Sequence, residues 1–230
     1  MGDVMEAKVI FNIHIFGANI PVTESIIMMW IIMAVLIIGS ILLTRNLKKV
    51  PTGKQNIVEA VVDFINKLAK DNIGHHWRAF APYLGTVLLF LAVANISSVF
   101  AVIPEIGGFK ISPPTRDLNV TATMGAMSIL LVLFAGLWYK KPLGWLKSLA
   151  KPSPIMVPFN VLDYGTRFLS LSLRLFGNIL ASFIVMELLY GMIAPIVPAV
   201  LGIYFDLFDG LLQAYIFVFL TSIYISEAVE

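Results

Sequence analysis

The sequence predicts an all-α polytopic membrane protein, and three observations carry that prediction. Only 13% of the 230 residues are charged, about half the usual share of a soluble domain, and mean hydropathy is +0.89. Three runs contain no Asp, Glu, Lys or Arg: 25–44 (SIIMMWIIMAVLIIGSILLT), 79–103 (AFAPYLGTVLLFLAVANISSVFAVI) and 118–139 (LNVTATMGAMSILLVLFAGLWY). Each reaches the roughly 20 residues needed to span about 30 Å of hydrocarbon. The last third, 157–227, carries two helical patterns that are longer still. The whole chain reads as one membrane domain.

Residues 1–24 precede the first span and are acidic at their start (Asp3, Glu6). The first apolar run is too long and too late for a cleaved signal peptide. Lys and Arg are unevenly placed: seven lie in 45–78 and four in 140–151, against three in 1–24 and 104–117 together. The positive-inside rule therefore puts the N-terminus outside and both basic loops in the cytoplasm, where they also suit anionic lipid. Residues 54–72 space Ile57, Val61, Val62, Ile65, Leu68 and Ala69 at helical intervals between charges, which predicts an amphipathic helix on the cytoplasmic surface. The second and third runs form a transmembrane hairpin, 79–139, through the Gly- and Pro-rich segment PEIGGFKISPPTRDLN. Within its first arm, Asn95 and Ser97 read as hydrogen-bonding links between helices.

After Pro158 no proline appears until Pro195, giving a helix of about 35 residues and roughly 52 Å. Pro195 and Pro198 break the pattern, and Ala199 to Glu227 supplies another 29 residues. Both exceed the hydrocarbon thickness, which predicts a steeply tilted hairpin.

Polar residues in this last third form stripes. With Arg174 as origin and about 100° per residue, Asp163, Arg167, Ser170, Asn178 and Ala181 all fall within about 40° of it. With Gln213 as origin, Asp206, Tyr224, Asp209 and Glu227 fall within about 40° as well. A guanidinium at mid-membrane costs at least about 2.5–3.5 kcal/mol on insertion scales, so such residues usually face a bundle interior or water and mark an ion path. Carboxylates can pass protons; arginine stays protonated and cannot. A row of acids interrupted by Arg174 is a conducting path with a block in it. The small residues Ser170, Ser172, Gly177 and Ala181 predict close approach by another helix.

Other chemistries fit poorly. There is no cysteine, which excludes disulfides, thiolate metal sites and thiol catalysis. His14, His75 and His76 lie outside the spans, and the His pair reads as surface; neither a metal nor a cofactor is expected. Asn119-Val-Thr121 fits a glycosylation sequon, but nothing else suggests a secretory protein. An intramembrane hydrolase lacks its nucleophile–base pair. A secondary transporter using the intramembrane charges is the alternative, and such proteins usually show internal repeats or paired broken helices, neither of which is visible.

Four stretches in order carry a family resemblance: PTRDLNVT (114–121), PFNVLDYGTR (158–167), LSLSLRLFGN (169–178) and LLQAYIFVFLTSIYIS (211–226). They resemble subunit a of the bacterial and chloroplast-type F-type ATP synthase. The resemblance implies a stator subunit, no enzyme on its own, forming two ion half-channels against a ring of c subunits within a hetero-oligomeric complex. It implies partnership with the c-ring, with b-type peripheral stalk subunits and with lipid, and none with nucleic acid. Arg174 would be the stator arginine facing the rotor carboxylate, with Asn178 and Gln213 beside it. Asp206 would belong to the outside half-channel and Asp163 to the cytoplasmic approach. Nine residues after the arginine, where the family commonly has Glu or His, this chain has Phe183. Glu187, one turn on, is expected to take the displaced role with Asp206 and Asp209. The coupling ion, H⁺ or Na⁺, depends mainly on the c subunit, and a bacterial plasma membrane is the expected location.

Overall fold

The computed structural model describes residues 9–15, 18–45, 47–50, 53–97, 113–149, 154–192, 201–202 and 204–229. The end of the second expected span (98–103), its outside loop as far as Ser112, and the break at Pro195 and Pro198 lie outside the described residues.

The chain opens with an antiparallel hairpin of β1 (Val9–Ile15) and β2 (Ala18–Thr23), with Ile15 opposite Ala18 and Ile13 opposite Ile20. The sequence reading assigns no structure to this segment. β-Branched and aromatic residues dominate VIFNIHI, the composition that suits a pleated strand.

Among the described residues the long α-helices that follow are α1 (Glu24–Thr44), α2 (Lys54–Ile73), α3 (Trp77–Ile96), α4 (Leu118–Leu149), α5 (Val157–Met192) and α6 (Gly210–Val229). Five helical stretches among the described residues are long and apolar enough to cross a membrane: Glu24–Thr44, Lys54–Ile96, Leu118–Pro142, Val157–Met186 and Leu207–Val229. In lipid each backbone N–H and C=O must bond within its own segment, which is why such sequences fold as helices.

Only the first half of α1 packs: Ser25, Met28 and Ile32 are buried at intervals of three and four residues, while Val35, Ile37, Ile38, Ile41 and Leu42 are exposed. α2 divides the same way. Ile65, Leu68, Ala69 and Ile73 are buried, whereas Ile57, Val61 and Val62 are exposed. The buried half meets α3 where Ile65 approaches Gly85, and meets α6 through a 2.8 Å bond from Asn72 Nδ2 to Ser222 Oγ. Gly74, at φ +69°, lets the chain turn from α2 into α3, a backbone region that side chains disfavour.

α4 runs past the expected end at Tyr139. It kinks at Lys141 (φ 59°, ψ 154°), because the residue before Pro142 is pushed out of the α region. Beyond the kink, Trp145 folds back against Gly136. α5 is continuous over 36 residues. The last expected helix is not: residues 201–202 are helical, Tyr204–Asp209 form a π-helical turn, and α6 begins only at Gly210.

Contacts fix the relative directions. α4 and α5 are antiparallel, with Gly125 against Ser172 and Arg116 over Phe183. α6 is antiparallel to α3 and α5, since Gly210 meets Asn95 and Glu227 meets Arg167. One end of the bundle thus gathers Asn95, Thr115, Phe183 and Gly210. The other gathers His76, Tyr139, Lys140, Arg167 and Glu227. Between them Leu84, Leu91, Val132, Leu171, Leu175, Val218 and Ile225 are fully buried. In lipid such a core holds by close van der Waals packing rather than by exclusion of water.

Candidate functional site

Arg174 sits near the middle of α5, half-buried, and donates from Nη2 to Ser170 Oγ one turn back at 3.1 Å. The i, i+4 spacing aligns the two side chains on one helix face. Leu171, Leu175, Gln213 and Phe217 line the same recess. Gln213 is 6% exposed and comes from α6, so the origins of the two polar stripes meet. Asn178, one turn beyond, is half-buried on the same face. Among the described residues Arg174 makes no ion pair: the two salt bridges present both belong to Arg167. A guanidinium seated in an apolar bundle, with neutral hydrogen-bonding neighbours among the described residues, is a fixed positive charge.

Arg167, two turns earlier, is the opposite case. Its Nη2 lies 2.6 Å from Asp163 Oδ2 and its Nη1 2.5 Å from Glu227 Oε2. The ring of Tyr224 stands 4.6 Å from its guanidinium carbon. Asp163 and Glu227 remain about half exposed, so this cluster is a solvated clamp joining the start of α5 to the end of α6. Asp163 is therefore engaged with Arg167 rather than with Arg174. The sequence reading put Arg167 and Glu227 on the two stripes without assigning them to the site. Their opposite charges at matching stripe positions were the available signal.

The far end is built from three elements. The 3₁₀ turn Pro114–Arg116 places the Arg116 guanidinium 3.6 Å from the centre of the Phe183 ring. Thr115, fully buried, donates to Asn95 Oδ1 at 2.9 Å, and Asn95 Nδ2 donates to Gly210 O at 2.7 Å. Asn95 is thus an interhelical link, as its position in an apolar run suggested. Ser97 is not: its hydroxyl donates to Ala94 O within its own turn, at 2.6 Å.

Asp206 and Asp209 belong to the π turn, and Asp209 is partly buried. The wider i→i+5 winding turns the chain by less than 100° per residue, so the α-helical angles given above for Asp206 and Asp209 shift. The side chains of Asp206 and Glu187 lie outside the described residues. Ser172, two residues before Arg174, faces away from it and packs on Gly125 of α4. Gly177 has open space where a Cβ would stand. Of the expected small-residue stripe, Ser172 therefore serves the chain's own α4, and the Gly177 side remains uncovered.

Among the described residues no group of three or more His, Asp or Glu side chains could hold a metal. His75 and His76 are exposed, with the His76 ring 4.3 Å from that of Tyr139. What the arrangement offers is one fixed cation at mid-bundle, a paired cation at one end, and, at the other end, a third arginine and an acid-bearing π turn. Residues 26–226 match the family model described as ATP synthase A chain.

Proposed function

This chain belongs to the ATP synthase A chain family, and from that premise we propose that it is the stator subunit of a rotary F-type enzyme, forming two ion half-channels against a ring of c subunits. The half-buried Arg174, without an acid partner among the described residues and beside Gln213, is the observation that carries the reading.

A rotor carboxylate crosses lipid in its neutral, ion-loaded form, because a bare charge there is expensive. On reaching Arg174 it meets a fixed cation that favours its ionised form, so the bound ion leaves and the carboxylate is drawn past. The same guanidinium never gives up its proton, so no relay runs directly between the half-channels. Gln213 and Ser170 orient it with neutral groups, which leaves its charge for the rotor. Asn178 stands beside Arg174, Glu187 with Asp206 and Asp209 serves the outside half-channel, and Asp163 stands at the cytoplasmic approach. One charge moved through 100 mV yields about 2.3 kcal/mol, so several ions pass for each ATP and any leak is costly.

The c-ring, a b-type peripheral stalk and the surrounding bilayer are its partners; ATP chemistry belongs to other subunits. The ion is H⁺ or Na⁺, the membrane is a bacterial plasma membrane, and the N-terminus is outside. The test is Arg174→Ala in the whole complex, reconstituted in vesicles, with and without Na⁺. Coupled ATP synthesis is expected to vanish while the complex still co-purifies with its c-ring. Undiminished synthesis would remove the proposed role.

A further inference from the structure

The two helices that carry the polar stripes pack mainly on others: α5 on α4, and α6 on α3 and α4. At the His76–Tyr139 end they are joined through Glu227. We infer that Glu227 is a positioning residue that latches α5 to α6 and so keeps ions from slipping past Arg174 without turning the rotor. The inference rests on the reading of this chain as the ion-conducting stator subunit.

Glu227 holds two helices at once. Its Oε2 lies 2.5 Å from Arg167 Nη1 of α5, and its carbonyl accepts from Lys140 Nζ of α4 at 3.2 Å. That carbonyl is among the last four of α6, which have no donor within the helix, and a cation suits the negative end of the helix dipole. Tyr224, three residues earlier, falls on the same face, with its ring 4.6 Å from the guanidinium carbon. Asp163, one turn before Arg167, lies 2.6 Å from Nη2, so the planar fork is filled from both helices.

The latch has leverage on Arg174. Arg167 is seven residues earlier, on the same face and about 10.5 Å away along the axis. The first turns of α5 have few other anchors. Phe159, Val161 and Leu162 are exposed, a Cβ at Gly165 would meet open space, and Tyr164 and Phe168 pack on the core only in part. With one attachment, at the recess shared by Arg174 and Gln213, α5 would be free to pivot; a second at Glu227 sets its direction. A pivot would part Arg174 from Gln213 and open a gap beside the fixed charge, through which an ion crosses without rotation. Half-exposed ion pairs shift such an equilibrium by up to about fivefold.

The experiment uses the complete ATP synthase in vesicles, with H⁺ and Na⁺ uptake both followed. It measures ions taken up per ATP hydrolysed, and the passive leak without ATP. Arg167→Gln and Glu227→Gln are each expected to raise the leak about fivefold and to lower the ratio of ions to ATP. The exchange of Arg167→Glu with Glu227→Arg keeps one cation and two acids in the cluster, Asp163 included. It should return the leak to within about twofold of the parent. A role confined to assembly would lower the yield of complex and leave the ratio unmoved. An unmoved ratio in both single variants, or an exchange as leaky as they are, overturns the inference. Should the single variants not assemble, the parent decides. Raising choline chloride from about 0.05 to 0.5 M screens this half-exposed cluster and should raise the leak at least about twofold, and a flat leak refutes the latch. Arg174→Ala separates the two readings: synthesis surviving there sinks the stator assignment, whereas tight coupling in both single variants beside a dead Arg174→Ala sinks this inference alone.

Discussion

A methyl group added at Gly125 would overlap Ser172 Oγ, well inside van der Waals contact. Gly125 therefore sets how closely α4 approaches α5, and through α5 it sets the placement of Arg174. Overpacking of this kind costs about 1–3 kcal/mol. Gly125→Ala is expected to lower the thermal stability of the purified complex, and Ser172→Ala alone to change it little. The double variant should recover most of the loss, because the remaining neighbours of the new Cβ lie at 3.5 Å. A thermal melt of the three complexes decides this, and a double variant as unstable as Gly125→Ala refutes it. The same pair marks a limit of the sequence. Ser172 was visible as a small residue, but its partner was not, since one chain's composition carries no register between helices. Two residues from Arg174 is about 200° around the helix, so Ser172 faces away from the arginine. Arg174 and Gln213 were legible because charge in an apolar run is costly wherever the helices lie.

Among elements, the long continuous α5 followed directly from its unbroken pattern after Pro158. The last helix did not. The segment 204–209 contains Tyr, Phe, Asp and Leu, none of which signals a π turn, so a uniform 100° rotation looked sound through Asp206. A π turn holds one residue more than an α-helix needs, and such turns recur at functional sites. Here it changes the direction of Asp206 relative to Gln213 while leaving α6 packed through Ala214, Phe217, Val218 and Ile225. Asn95 bonds the Gly210 carbonyl at the junction, which satisfies a backbone acceptor where the two windings meet. Deleting Leu207 should remove the extra residue and let the segment close as an ordinary α-helix, re-aiming the side chains within the turn while the residues on either side keep nearly their present directions. The expected result is an assembled complex that co-purifies with its c-ring but synthesises ATP at a small fraction of the parent rate. Full synthesis in the deletion variant would show that the π turn has no part in the path. The N-terminal hairpin was also missed, because attention to apolar runs of about 20 residues passes over two strands of seven and six residues.

Across the whole molecule, three arginines mark the two ends and the centre of the bundle along α5. Arg167 is matched by Asp163 and Glu227 at one end, Arg174 has no acid among the described residues at the centre, and Arg116 rests on an aromatic ring at the other end. The two ends also differ in basic residues. Arg78, Lys140, Lys141 and Arg167 lie toward the His76–Tyr139 end, while Arg116 and Lys8 belong to segments expected outside. Under the orientation proposed from that asymmetry, α3 and α5 run outward, α4 and α6 run inward, and the Asn95–Phe183 end faces outside. The chain contains no cysteine, so a single introduced thiol reports its own side of the membrane. Asn12→Cys, on the exposed strand β1, should react with a membrane-impermeant maleimide in intact cells. Lys49→Cys and Arg78→Cys, both at exposed positions, should react only in inside-out vesicles. The orientation decides more than topology, because it determines which side of the membrane each proposed half-channel faces. The reverse labelling pattern would exchange the two proposed half-channels. With the expected pattern, the π turn lies toward the outside and the Arg167 clamp toward the cytoplasm, the side on which the proposed function puts ion exit during synthesis.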